Sequence, residues 1–190
     1  MVPNQIHSNK FYYLNKKSRF KRNKFKGDAI ITNQKNIPIG VLTADCVPIL
    51  IYDQKKNMVS AIHAGWKGAY NDIIKNVIKF MLNKGCKSKT ITAAIGPCIS
   101  IKNYEVKKDF IDLFIKKDKK NKVFFKKIKN KTFFSLNKYI CSQLKSFNIK
   151  NIEIINKDTF DIKNNFFSAR RSISRNENDY GRNISIIMLN

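Results

Sequence analysis

The sequence predicts a single mixed α/β domain over residues 1–190, a layered β-sheet with flanking helices. Short β-branched runs bounded by polar turns alternate with segments whose apolar residues recur every three or four positions. No internal repeat and no Pro/Gly/Ser-rich linker divides the chain. A hydrophobic content of 43% is that of a globular chain large enough to bury a core.

Ile37–Thr43 and Val47–Tyr52 are apolar, β-branched runs separated by Ala44-Asp45-Cys46. Met58–His63 follows a polar turn at Asp53-Gln54-Lys55-Lys56 and reads as a third strand. Ile73, Ile74, Val77, Ile78, Met81 and Leu82 keep helical spacing, and Gly85 closes that helix. Thr90–Ile95 is a strand running into Gly96-Pro97, and helices are expected around Glu105–Ile115 and Ser135–Phe147. Ile152–Ile155 and Ile184–Leu189 are late strands. The second is apolar throughout, as expected of a buried sheet position.

No apolar run reaches the roughly 20 residues that span a bilayer. The start carries no charged segment followed by an apolar stretch, so a cytoplasmic chain with no signal peptide and no membrane partner is expected. Cys46, Cys86, Cys98 and Cys141 form no Cys-x-x-Cys pair, which argues against a zinc ribbon or a redox dithiol.

The net charge of +25 invites a nucleic-acid reading, but 32 lysines against 6 arginines, spread through every segment, are what codon bias produces. The densest run, Lys116 to Lys131, contains Phe124 and Phe125 without an RNA-binding signature, so no specific nucleic-acid partner is expected. Against that background the arginines are informative. Arg170, Arg171, Arg175 and Arg182 fall within the last 21 residues, and Arg offers phosphate or carboxylate a planar fork that Lys lacks. An exposed basic tail is the alternative reading.

The chain has two histidines, His7 and His63. With the hairpin turn at Asp53–Lys56, Tyr52 opposes Asn57, and stepping back along both strands sets Cys46 opposite His63. Opposed side chains have Cβ atoms about 4.5–5.5 Å apart, close enough to share a metal. Two imidazoles and a thiolate, with His7 as the third ligand, would suit zinc and leave one coordination position open. A buried Cys facing a core His without metal explains the same pair, and spacing alone does not bring His7 into the site.

Gln5-Ile6-His7, Gly27-Asp28-Ala29, Thr43-Ala44-Asp45-Cys46-Val47-Pro48, His63-Ala64-Gly65-Trp66-Lys67-Gly68, Ile95-Gly96-Pro97-Cys98-Ile99, Tyr104-Glu105-Val106 and Phe166-Phe167-Ser168-Ala169-Arg170-Arg171 with Gly181-Arg182 occur in this order. Together they resemble the motifs of the YfiH/DUF152 family, whose members are also labelled laccase-domain, polyphenol oxidase or peptidoglycan editing factor proteins. The resemblance runs from residue 5 to the C-terminus. It implies one zinc at His7, Cys46 and His63, and a layered α/β fold shared with a toxin deamidase domain. It implies phosphorolysis of purine nucleosides (adenosine, inosine, methylthioadenosine) by phosphate, together with adenosine deamination. Against the family pattern the chain is short at its N-terminus, with four residues before Gln5 where members carry a further segment. Asp158-Thr159 stands where many members have Cys-Thr, and Ala169 where a Tyr is frequent.

The residues also test the laccase label. A multicopper oxidase needs a trinuclear cluster held by many imidazoles, which two histidines cannot build; a lone copper at the His₂Cys set is the alternative metal. Phosphorolysis needs an anion held in line with the anomeric carbon, a task for the open metal position with Arg170 and Arg182. Deamination needs an activated water and a proton shuttle, for which Asp45 and Glu105 are candidates; Asp45 could equally orient a ligand histidine. Trp66 and Tyr104 could stack on a purine. Two readings from other classes stand beside this one. The first is a metal-free Cys46–His63 thiol hydrolase or amidase acting in peptidoglycan precursor editing, which fits the toxin-like fold and the peptidoglycan-editing label. The second is a non-enzymatic basic binding module.

Overall fold

The structure, a computed structural model, describes residues 1–16 and 25–190. Its first half contains β1 (Phe11–Leu14), β2 (Ala29–Thr32), β3 (Ile39–Thr43), β4 (Val47–Asp53) and β5 (Met58–Ala64), then α1 (Trp66–Tyr70) and α2 (Ile73–Asn83). The second half adds β6 (Ile91–Ile95), β7 (Glu105–Val106), α3 (Lys108–Lys117), β8 (Phe125–Ile128) and β9 (Lys131–Phe134). It ends with α4 (Leu136–Lys145), β10 (Asn151–Ile154), α5 (Ala169–Ser174) and β11 (Asn183–Ile187).

One six-stranded sheet organises the molecule in the order β1-β2-β5-β4-β6-β10. Its outer pairs, β1 with β2 and β6 with β10, are parallel, and its inner pairs are antiparallel. Alternate residues feed two cores, as the period of two requires. Ile31, Ile49, Ile51 and Ile62 face a cluster built with α2 and α4, where Ile73, Ile74, Val77, Ile78 and Met81 carry no exposed surface. Each such side chain contributes about 1.5–3 kcal/mol by leaving water. Ile30, Val59 and Ala61 face the other way, against Ile39 and Val41 of β3 and Leu189. The β3–β11 ribbon therefore forms a second layer across the sheet. A third, small sheet, β7-β9-β8, lies in the region of α3.

Three expectations need correction. The β4–β5 hairpin turns over Gln54–Asn57, not Asp53–Lys56, because Asp53 Oδ1 accepts the Lys56 N–H at 2.7 Å and Asn57 takes a positive φ of 45°. Tyr52 therefore pairs with Val59 and Pro48 with His63. The register is displaced by two, so Cys46 lies diagonal to His63 instead of opposite. A slip of two keeps every side chain on its face, and the pair survives. Second, the helix expected around Glu105–Ile115 starts only at Lys108, since Glu105–Val106 is strand β7 paired with β9. Third, Ile184–Leu189 is not buried on both sides: Ile184, Ile186 and Met188 point outward at 55%, 51% and 44% exposure. Among the described residues β11 pairs only with β3, in a two-stranded ribbon whose outer face no other layer covers. The strands β1, β2, β8 and β9 and the short helices α1 and α5 have no counterpart among the predicted elements.

The α2 helix ends as its Gly85 predicts. Gly85 takes φ +89°, its N–H bonds Leu82 O at 2.8 Å, and Cys86 N–H bonds Met81 O at 3.1 Å. Among the described residues, no helix is long and apolar enough to cross a membrane.

Candidate metal centre

His63 sits at the end of β5 with its backbone N–H on Asp28 O at 2.7 Å. Its imidazole Nδ1 meets Asp28 Oδ1 at 2.8 Å, and both side chains are buried. That contact fixes the ring and leaves Nε2 for a ligand. The same carboxylate captures the N-terminal segment: Oδ1 accepts the His7 N–H at 2.9 Å, and Oδ2 accepts Ser8 N–H at 2.5 Å and Ser8 Oγ–H at 2.7 Å. His7 itself has φ +57°, a turn that swings its ring back over His63, with ring centroids 4.8 Å apart at 83°. Gln5 pins the segment further by exchanging two hydrogen bonds with the Leu42 backbone, at 2.7 and 2.8 Å.

Cys46 enters from the turn between β3 and β4. Its Sγ lies 3.8 Å from His7 Nε2, and the ligand atoms of His7, Cys46 and His63 all lie within 4.8 Å of one another. Ligands of one tetrahedral zinc are about 3.3–3.8 Å apart, so a small contraction would close this triad on a metal. Gly65 makes the convergence possible: a Cβ there would stand 2.9 Å from Cys46 Sγ and 2.9 Å from His7 Cδ2. The donor set, two imidazoles and a thiolate with a carboxylate behind one ring, fits a transition-metal ion.

The charges agree with a thiolate site. Burial alone would raise the Cys46 thiol, but hydrogen bonding to His63 and His7 and their positive charge outweigh it and bring it down to about 7. Burial likewise opposes charge on His63, but Asp28 and Cys46 raise it to about 9. Asp28 is held below the usual carboxylate range: its burial is outweighed by hydrogen bonds from His63 and Ser8.

Asp45 does something other than orient a histidine. It adopts φ +81°; its Oδ1 accepts Thr159 Oγ–H at 2.7 Å and its Oδ2 accepts the Arg170 N–H at 2.6 Å. It thereby ties the Cys46 turn to the start of α5. The histidine-orienting carboxylate is Asp28. An acid directly ahead of an apolar run, in a chain with 13 acids among 190 residues, is the signal that could have found it.

Two cavities meet at Cys46. One, of about 330 Å³, is lined by Gln5, His7, Cys46, His63, Tyr180 and Arg182. The other, of about 220 Å³, is lined by Cys46, Trp66, Ile99, Tyr104, Arg170 and Ile173. The structure thus brings Arg182 to the two histidines and separates Arg170 from them, setting its guanidinium 5.5 Å above the Tyr104 ring. Trp66 packs edge-on against Phe110 at 5.1 Å while reaching the smaller cavity. Glu105 lines neither; its carboxylate pairs with Lys131 at 2.8 Å on the surface.

Comparison with known proteins gives this geometry a family. The family described as multi-copper polyphenol oxidoreductase laccase matches residues 1–190. A purine nucleoside phosphorylase of Rickettsia conorii is 37% identical over 161 residues, covering 84% of this chain and 66% of its own length. Its counterpart from Rickettsia prowazekii is 36% identical over 149 residues, covering 77% and 61%. An adenosine deaminase from an unknown prokaryotic organism is 40% identical over 89 residues, covering 45% and 34%. The chain thus spans about two thirds or less of the length of these relatives. The crystal structure of the hypothetical protein YfiH of Bacillus licheniformis superposes with TM-score 0.88 at 27% identity, over 100% of this chain and 73% of that one. A Neisseria meningitidis protein of the DUF152 family gives TM-score 0.83 at 27% identity, over 100% and 74%. Matched along its whole length and sharing the fold of these structures, the chain belongs to the laccase-like YfiH/DUF152 family.

Proposed function

We propose that this chain is a zinc-dependent purine nucleoside phosphorylase that cleaves adenosine, inosine or methylthioadenosine with phosphate, and that it also deaminates adenosine. One observation carries the reading: His7, Cys46 and His63 converge where a cavity containing Arg182 meets one lined by Trp66, Tyr104 and Arg170. The names of the Rickettsia relatives and of the deaminase support it. His7, Cys46 and His63 would hold the metal, which would supply an electrophilic centre. Zinc suits the donor set better than copper, because no Met lines either cavity at the triad and two histidines cannot support a copper cluster.

In phosphorolysis the glycosidic bond between the anomeric carbon and the purine breaks, and a bond from that carbon to a phosphate oxygen forms. The departing base takes the electron pair of the broken bond and, in the overall balance, the proton that hydrogen phosphate gives up. Arg182, beside the histidines, holds the phosphate through its fork. Tyr104, Trp66 and Arg170 offer flat faces and a cation to the purine, so Arg170 serves the base here and not the phosphate. Asp28 fixes the His63 ring through Nδ1 and leaves Nε2 as the atom that would hold a metal, and Asp45 fixes the turn that presents Cys46. The free thiols of the described cysteines suit a reducing, cytoplasmic setting.

A second reading has its own observation. Cys46, His63 and Asp28 stand in the order thiolate, imidazolium and carboxylate, as in a metal-free cysteine hydrolase. Elemental mass spectrometry of the purified protein beside Cys46→Ala, with a phosphate-dependent assay of base release, separates the two. About one zinc per chain, lost in the variant, and base release that requires phosphate support the phosphorylase. A folded, metal-free wild type that hydrolyses substrate without phosphate overturns it.

A further inference from the structure

The four C-terminal arginines do not share one destination. Arg182 and Arg170 line the two cavities at Cys46, whereas Arg171 and Arg175 line a separate cavity of about 570 Å³ that none of His7, Cys46 and His63 reaches. Helical spacing explains the division. Residues four apart on α5 and its C-cap share a face, so Arg171 and Arg175 look away from Arg170.

The carboxylates on this cavity are already engaged. Asp158 Oδ1 accepts the N–H groups of Ser100 and Phe160, both at 3.0 Å. Its Oδ2 accepts Ser100 Oγ–H at 2.5 Å and Asn103 Nδ2–H at 2.7 Å. Asp161 accepts the Lys163 N–H at 3.0 Å. The cations are not matched in this way. Arg171, half-buried, spends Nη1 on Thr159 O at 2.7 Å and Phe160 O at 3.0 Å, and Nη2 on Phe166 O at 2.6 Å. These are neutral carbonyls; among the described residues no carboxylate pairs with Arg171 or with Lys102 on the same wall. Arg175 has only a loose 3.9 Å contact with Glu177 at the surface. Three cations thus face two carboxylates, of which Asp158 already takes four donors, and this excess of positive charge favours an anion.

The volume lies within the range of about 300–1,000 Å³ typical of small-molecule sites and exceeds what a free phosphate fills. The remaining wall offers the Asn156 amide, the Ser174 hydroxyl and the Phe160 ring, partners for a hydroxylated ring with one apolar face. We propose that this cavity binds a ribose carrying a phosphomonoester. Arg175 and Lys102 contact the phosphate with the charge of Arg171 behind them, and the sugar lies against Phe160. The proposal does not depend on the reaction at Cys46.

Isothermal titration of the intact protein with ribose 5-phosphate, adenosine 5′-monophosphate, inorganic phosphate and ribose tests it. The variants are Arg175→Gln and Lys102→Gln, both at exposed positions that keep the fold, with Lys79→Gln, an exposed lysine of α2 away from all three cavities, as the charge control. Saturable binding of a phosphorylated ribose is expected, weakened about tenfold by Arg175→Gln and by Lys102→Gln and unchanged in Lys79→Gln. Phosphate alone and ribose alone should each bind at least about tenfold more weakly. Tighter binding of the monophosphate than of ribose 5-phosphate identifies a nucleotide as the source; equal or weaker binding identifies a sugar phosphate. No saturable binding of either, wild-type affinity in Arg175→Gln and Lys102→Gln, or an equal loss in Lys79→Gln overturns the proposal.

Discussion

Two neighbouring turns hold a cysteine each and treat it in opposite ways. The Cys46 turn and the Cys98 turn touch through an Ile99 N–H to Asp45 O hydrogen bond of 3.1 Å. Burial raises both thiols, yet Cys46 comes down to about 7 while Cys98 climbs to about 12. The sign of the surroundings decides. Cys46 faces two imidazoles, whereas Cys98 has the negative charges of Asp158, Asp45 and Cys46 around it. Cys98 belongs to the scaffold: its carbonyl accepts the Thr159 N–H at 3.1 Å, and Thr159 in turn supports Asp45. Burial by itself says little about what a cysteine does.

The largest test of that contrast is to remove each sulfur. Cys46→Ala should abolish bound metal and lower kcat/KM by about a thousandfold or more, while Cys98→Ala keeps the metal. Equal metal loss in both, by elemental analysis, would erase the distinction. Gly65→Ala leaves every ligand in place but drives a methyl against Cys46 and His7, and should weaken metal affinity by about a hundredfold in competition with a chelator. An unchanged affinity would mean the triad does not close as its geometry implies.

Asp28→Asn should cost about ten- to hundredfold in the same titration, because His63 loses the acceptor that sets its ring and its tautomer. The pH dependence sharpens the comparison further. A thiol with a lowered pKa is thiolate above that value, so in chelator-treated protein the alkylation of Cys46 should rise with a midpoint near 7. Cys98, at about 12, should stay unlabelled across neutral pH. Peptide mass spectrometry after iodoacetamide measures both, and identical profiles would sink the assignment. The smallest effects concern the two arginines. Arg182→Lys should raise the KM for phosphate about three- to tenfold, and Arg170→Lys that for the nucleoside. The reverse pattern would exchange the roles of the two cavities.

Much of this was legible in the chain. The β-branched runs gave β3 to β6, and the apolar spacing from Ile73 to Leu82 gave α2, because each pattern has a period that only one backbone satisfies. The pairing of Cys46 with His63 was reached through a register off by two, and it held because parity, not register, fixes the face. β1 and β2 escaped because runs of four residues carry too little periodicity. The exposed face of β11 escaped because an apolar run says nothing of how many layers cover it.

By itself, then, the sequence determined the α/β class, the candidate pair Cys46 and His63 and the unusual concentration of arginine, while His7 joined that pair through the family resemblance. Local chemistry is written in residue types and short spacings, and those are one-dimensional. Only the tertiary structure decided which groups meet. It set Asp28 under both histidine segments, moved Asp45 to the start of α5, and sent the four arginines to three different cavities. These contacts join residues separated by 20 to 125 positions, and such distances are closed by sheet order and layer packing, which no local pattern encodes.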